Sequence, residues 1–234
     1  MEASARTDVG LVRAVNEDNY LLGDVLFAVA DGLGGHEAGE IASKMAVNML
    51  EEYSLSSEGN PADRLREAFR EINAAIYRRS TGDQSCEGMG TTLTALLIQD
   101  GTAYIGHVGD SRAYLVRNDV MYQLTEDHSV VSELVRMGML TKSEAKVHPQ
   151  RNLLTRAMGT LPTVDIEVVD TKVEPGDRYI LCTDGLSGAI EDSRILDVVV
   201  SEKTPPAVVD ELINLANQNG GYDNVTVVAV FIDT

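Results

Sequence analysis

Basic side chains, cysteine and tryptophan are scarce in this chain, and the first two shortages each exclude something. Lys and Arg number 19 against 37 Asp and Glu, a formal net charge of −18. A surface this acidic does not suit binding to nucleic acid regardless of sequence, or to an anionic membrane, because both need positive charge. The two cysteines, Cys86 and Cys182, have no C-x-x-C spacing and are too few for a disulfide framework. Cys182 sits in the apolar run Tyr179-Ile180-Leu181-Cys182-Thr183 and reads as a buried strand residue. No apolar run approaches the ~20 residues that a membrane helix needs, and Met1–Gly10 has no apolar signal segment. The expectation is a soluble, cytoplasmic protein with no nucleic-acid and no membrane partner. A soluble piece of a larger protein is the alternative.

What is present is an ordinary globular balance, 44% hydrophobic and 24% charged over 234 residues. There is no internal repeat and no low-complexity linker, so residues 1–234 read as one domain. Val25–Ala30 is a buried-strand run that stops at Asp31-Gly32. Glu40–Tyr53 changes to helical spacing, with Ile41, Met45 and Met49 on one stripe. A second helix opens at Asn60-Pro61, an N-cap followed by a first-turn proline. The centre is β-rich. Thr91–Ile98 and Thr102–Val108 read as a hairpin across Asp100-Gly101, and Ala113–Val116 and Val120–Leu124 as another across Asn118-Asp119. A short helix follows at Ser129–Met137. Residues from about 141 to 165 form an excursion from the main body, opened by the capping-box pattern Thr141-Lys142-Ser143-Glu144. Val164–Val173 and Tyr179–Thr183 read as strands, Ser193–Val200 and Pro206–Gln218 as helices, and Val225–Ile232 as a closing strand. Strands clustered in the middle, with helices inserted early and late, suit an antiparallel α+β layer arrangement.

Four aspartates fall at strand ends in glycine-rich settings: Asp31 before Gly32, Asp110 after Gly109, Asp184 before Gly185, and Asp223 after Gly220-Gly221-Tyr222. A turn is the ordinary explanation of any single Asp-Gly, and Asp100-Gly101 and Asp24 read that way. Several carboxylates on rigid strand tips, with glycines that let backbone and ligand approach, would instead make an all-oxygen site suited to Mg²⁺ or Mn²⁺ rather than Zn²⁺. Arg13, near Asn16-Glu17-Asp18, is surface decoration by itself. Beside such a cluster it could grip a phosphate.

Arg13-x-x-Asn16-Glu17-Asp18, Asp31-Gly32-Leu33-Gly34-Gly35-His36, Gly90-Thr91-Thr92, Gly109-Asp110-Ser111-Arg112-Ala113, Leu124-Thr125-x-Asp127-His128-Ser129, Thr183-Asp184-Gly185 and Asp223-Asn224 occur in this order. Each motif is weak alone. Together, from residue 13 to residue 224, the series resembles the metal-dependent serine/threonine protein phosphatases of type 2C in their compact bacterial form. The resemblance implies a four-layer α-β-β-α sandwich, with two central antiparallel sheets flanked by helices. It implies a site for two Mn²⁺ or Mg²⁺ ions, with room for a third. By position, Asp31 would bridge the pair, the Gly32 carbonyl would bind one ion, and Asp184 and Asp223 would hold the other. Glu17 and Asp18 would act through water, Asp110 with Asp184 would resemble the ligands of the third ion, and Arg13 would hold the substrate phosphate. The segment at about 141–165 matches the flap beside the active site. The implied reaction is hydrolysis of phosphoserine and phosphothreonine on proteins by in-line attack of a bridging hydroxide. The implied partners are phosphorylated protein substrates, with a bacterial Ser/Thr protein kinase as counterpart to a monomeric enzyme.

The sequence departs from many eukaryotic relatives at one point. A histidine directly follows their Asp-Gly pair, whereas here that position is Leu33 and the nearest histidine is His36. His36 could protonate the leaving oxygen by a shifted loop path, a metal-bound water could serve instead, or His36 could only fix the loop. His107 and His128 read as structural, and His148 as a surface residue of the flap. Gly185-Leu186-Ser187-Gly188-Ala189 fails as a nucleophile elbow because Ala189 replaces the second glycine. Three other functions remain in play: a catalytically weak phospho-binding module, a phosphomonoesterase for small molecules, and a phosphatase acting on a sigma-factor regulator.

Overall fold

The computed structural model describes residues 1–34, 38–54 and 59–233. Two antiparallel sheets stack face to face. The first runs in the order β1 (Glu2–Asp8), β11 (Val225–Phe231), β10 (Arg178–Cys182), β7 (Arg112–Arg117), β8 (Val120–Gln123). The second runs β2 (Asp18–Leu22), β3 (Leu26–Leu33), β5 (Leu93–Gln99), β6 (Thr102–Val108), β9 (Glu167–Lys172), and β4 (Gly90–Thr91) pairs with the end of β3. Among the described residues, no helix is long and apolar enough to cross a membrane.

The central strands β3, β5, β10 and β11 read as apolar runs because both of their faces are buried. In β10, Tyr179 and Leu181 point between the sheets, where they meet Phe27, Val29, Leu96 and Ile105 of the other sheet. Their neighbours Ile180 and Cys182 point outward against α6 (Asp192–Ser201) and α7 (Pro205–Gln218), through Ile195, Val199, Val208 and Leu212. The second sheet is covered in the same way by α1 (Ala38–Ser54) and α2 (Pro61–Gly82), whose Ala42, Ala46, Leu50, Phe69 and Ile72 pack on Ala28, Ala30 and Ala95. The result is the expected α-β-β-α order. Period-2 alternation is present in the backbone, but both sets of side chains are apolar.

Local signals mostly act where the sequence places them. The Asn60 side chain accepts from the Ala62 and Asp63 amides at 2.9 and 3.3 Å and caps α2. Asp100-Gly101 and Asn118-Asp119 all have positive φ, as the tight hairpin turn requires. Ser129 caps α3 (Val130–Arg136), and the Thr141–Glu144 capping box opens α4 (Lys142–Val147). Three features differ from expectation. β1 has little apolar alternation, and it is a strand because it pairs along β11 from Glu2↔Phe231 to Asp8↔Val225. β3 continues past Ala30, because Gly32 and Leu33 pair with Thr91 and Gly90. A four-residue helix, α5 (Asp184–Ser187), directly follows β10 and is too short to show a period.

One buried ion pair fastens the first sheet. Asp177 has no exposed surface, and Arg117 on β7 grips it with two hydrogen bonds of 2.7 Å. Burial pulls the Asp177 carboxyl upward, but the bonds from Arg117 and the Glu174 amide win and hold it below the usual carboxylate range. Arg117 also bonds Glu174 Oε1 and the Lys172 carbonyl at 2.8 Å each, so Asp177→Ala leaves the guanidinium partnered and is expected to cost about 1–3 kcal/mol of unfolding free energy in a urea titration. A depressed carboxylate stabilises above its unfolded pKa, about 3.9. The gap between wild type and variant should therefore be full at pH 7 and shrink as pH falls below about 4.

Candidate active site

Backbone pairing brings the expected acids together. The β2–β3 register sets Asp18 opposite Asp31. The end of β10 leads through Thr183 to Asp184, the first residue of α5. The loop before β11 supplies Asp223, the β6–β7 connection supplies Asp110, and the segment between β1 and β2 supplies Arg13 and Glu17. Asp184 stands close enough to Asp31 for its charge to act on the Asp31 carboxyl.

The crowding shows in the acidities. Burial, and then the charges of Asp18, Asp184, Asp110 and Asp223, raise Asp31 well above the usual range. Burial pushes Asp18 to about 7, although the Thr183 and Thr226 hydroxyls donate to its Oδ2 at 2.8 and 2.7 Å. Burial, with Asp184 next in weight, lifts Asp110 to about 8. Asp184 and Glu17 are raised as well, chiefly by burial. Among the described residues, Glu17 Oε1, Asp18 Oδ1 and Asp184 Oδ1 are buried without a hydrogen-bond partner. Orphaned oxygens in a nest of repelling carboxylates fit hard divalent cations, which take oxygen ligands and neutralise the charge.

Close backbone approach builds the cleft. A Cβ on Gly32 would run into the carbonyls of Gly39 and Glu17, and one on Gly39 would lie 2.6 Å from Glu17 Oε1. Arg13 reaches the cluster from the rim. Its Nη2 donates to Asp223 Oδ2 at 2.8 Å, and this bond, with the charges of Asp223, Asp31 and Asp184, raises its pKa despite partial burial. His36 falls outside the described residues.

The sequence assigns no role to several residues that organise this site. Asn224 donates to the Val9 and Val15 carbonyls at 3.0 Å each and accepts from the Glu17 amide at 2.8 Å, so one side chain ties down both ends of the Arg13 loop. Thr92 Oγ1 accepts from the Asp31 amide at 2.9 Å and pairs with the Ser111 hydroxyl at 2.7 Å. Thr183, Thr226, Thr92 and Ser111 are fully buried. Hydroxyls inside apolar strands were the available signal for the two threonines of β10's end and β11.

A second group of metal-capable side chains, His107, His128 and Glu167, has ligand atoms within 4.8 Å of one another. Protein hydrogen bonds already occupy both rings. His107 bonds Thr94 Oγ1 at 2.9 Å and the Glu126 carbonyl at 3.0 Å, and burial, then His128, lowers it to about 4. His128 Nδ1 accepts from the Gly109 amide at 3.1 Å, and its Nε2 lies 3.3 Å from Arg156 Nη1 and 3.5 Å from Glu167. These are the structural histidines that the sequence suggests. A cavity of about 240 Å³ opens beside His128, Arg156 and Glu167.

A family model described as Protein phosphatase 2C matches residues 11–225. The chain is 39% identical to a serine/threonine phosphatase stp of Listeria innocua, over 98% of this chain and 95% of the relative. It superposes on the crystal structure of the Mycobacterium tuberculosis serine/threonine phosphatase PstP/Ppp with a TM-score of 0.94 at 40% identity, covering 100% and 99% of the two chains. It superposes on the catalytic domain of PstP in complex with 2 manganese ions with a TM-score of 0.91 at 39% identity, covering 99% and 98%.

The crowding has a measurable sign. A carboxylate with a raised pKa leaves stability intact below its unfolded value and takes it away as pH rises through the folded value. Metal-free Asp110→Asn is therefore expected to melt higher than metal-free wild type at pH 8, by about 2–4 °C per kcal/mol relieved, and the gain should shrink at pH 5. Asp184→Asn should lose most of the thermal stabilisation that Mn²⁺ confers on wild type. Differential scanning calorimetry with EDTA and with Mn²⁺ reads both.

Proposed function

The chain belongs to the protein phosphatase 2C family, and on that premise we propose how its carboxylate cleft dephosphorylates serine and threonine residues of proteins. The activity is that of a protein serine/threonine phosphatase dependent on Mn²⁺ or Mg²⁺ at a binuclear site. The observation that carries the assignment of residues is the set of buried, unpartnered oxygens on Glu17, Asp18 and Asp184 beside Asp31. Asp31 would bridge two ions, with the Gly32 carbonyl on one and Asp184 and Asp223 on the other. Glu17 and Asp18 would hold water at the pair, and Asp110 with Asp184 would take a weaker third ion. When bound, such ions lower the pKa of a shared water and draw charge from the phosphoryl oxygens.

The chain's own residues orient and exclude. Asn224 holds the backbone of the Arg13 loop, and Asp223 holds the guanidinium at the cleft. Arg13 grips non-bridging phosphoryl oxygens equally in the ground and transition states. Thr183 and Thr226 keep Asp18 turned inward. Burial pushes the Cys182 thiol up to about 12, which suits packing and not nucleophilic attack. His36 stays the side-chain candidate for protonating the leaving oxygen, with water as its competitor.

Residues 141–165 act in this reading as a flap. Its far end is anchored where Met158 pairs with Thr91 and where Asn73 bonds the Gly159 amide and the Leu161 and Pro162 carbonyls. The partners are phosphorylated proteins, the functional counterpart is a Ser/Thr protein kinase, and the enzyme works as a cytoplasmic monomer.

Phosphate release from a phosphothreonine peptide should appear with Mn²⁺ or Mg²⁺ and vanish with EDTA or in Asp184→Asn. Wild-type protein that binds Mn²⁺ but releases no phosphate would instead favour a phospho-binding module. Arg13→Ala should lower kcat/KM about tenfold or more, mainly through KM. A fall in kcat at constant KM would refute ground-state phosphate binding as its role.

A further inference from the structure

On a strongly acidic chain, the rim beside Arg13 and Asp223 is apolar. Leu11 is 70% exposed and Tyr222 74%, among the most exposed large hydrophobic residues described. Leu11 lies two residues before Arg13, and Tyr222 directly precedes Asp223, the residue to which Arg13 hydrogen-bonds. Both residues therefore sit on the two segments that meet at the Arg13–Asp223 bond, where the proposed reading puts the phosphate.

These side chains are exposed but held. Gly220 has φ +118°, and a Cβ there would fall onto the ring of Tyr222, so the ring lies over the bare α-carbon. Gly221 has φ +51°, and a Cβ there would lie 2.8 Å from Leu11 Cγ. The Leu11 amide also donates to the Gly221 carbonyl at 2.8 Å. Two successive glycines thus seat two apolar groups from opposite ends of the chain. A fixed apolar surface left in water marks an interaction site more than a loop at rest does.

We propose that Leu11 and Tyr222 form a ledge that seats an apolar side chain of the phosphoprotein substrate, within two residues of the phosphorylated position. The occupant follows from continuity with the cleft. An extended peptide advances about 3.3–3.6 Å per residue, so a chain whose phosphate is held by Arg13 has its near neighbours at this rim. Charge agrees, since a chain of net −18 disfavours acidic flanks. The ledge rests on the phosphatase reading above and adds a sequence preference to it.

The test compares kcat/KM, in Mn²⁺, for phosphothreonine peptides that differ only in carrying leucine or glycine at the positions next to phosphothreonine, with free O-phospho-L-threonine as a substrate that has no flank. Wild type should prefer the leucine peptide by about tenfold. Leu11→Ala with Tyr222→Ala should bring that ratio near one while changing turnover of O-phospho-L-threonine by less than twofold. Tyr222→Phe, which keeps the ring over Gly220, should keep the preference. Equal use of both peptides by wild type would overturn the ledge, as would a preference that survives the double substitution. So would a parallel loss on all three substrates in that variant, which would mark a collapsed rim. Failure of wild type on every substrate would overturn the phosphatase reading itself.

Discussion

Like charge crowded at the ends of buried strands is the constraint on which the rest of this structure depends. Each of Asp18, Asp31, Asp110 and Asp184 would gain by turning into water, and burial raises the pKa of every one. None can turn away freely. Strand register holds Asp18 opposite Asp31, and α5 begins at Asp184 immediately after β10. The sandwich is therefore a frame stiff enough to hold repulsion that divalent cations relieve. Its apolar layers supply the stiffness, because both faces of each sheet are packed.

The same frame explains how an acidic protein can hold an anionic substrate. On the proposed ligand set, Asp31, Asp184 and Asp223 contribute −3 and two divalent ions +4, which leaves about +1 at the site. Arg13 adds a further positive group at the rim, and Asp223 holds it there through a 2.8 Å bond. Long-range charge and local charge thus have opposite sign. The buried hydroxyls of Thr92, Thr183 and Thr226, together with the Asn224 amide, set the geometry of that local field with little charge of their own.

Much of this was legible beforehand, for identifiable reasons. The helices α1, α2 and α7 carry a 3.6-residue apolar period, and Asn60-Pro61 marks a start that the backbone confirms. The hairpin turns at Asp100-Gly101 and Asn118-Asp119 announce themselves because few residues accept positive φ. The aspartates stood out by repetition of one local context. β1 was not legible, since its strand character comes from an edge of β11 more than 200 residues away in sequence. Nor was α5, which is shorter than a readable period. Asn224 gave no sign of its bonds to Val9, Val15 and Glu17, because polar partners at long range leave no local pattern.

By itself the amino-acid sequence determined the layer composition, the turns, the family resemblance and the roster of acidic residues, because each rests on local periodicity, on short motifs or on backbone sterics. Only the tertiary structure decided which of those acids face one another, which oxygens are left without a partner, and which apolar side chains stay on the surface. Those properties depend on pairings between β1 and β11, and between the first and last loops. No window of sequence contains both members of such a pair, and the energy that selects them comes from burying two sheets and four long helices at once.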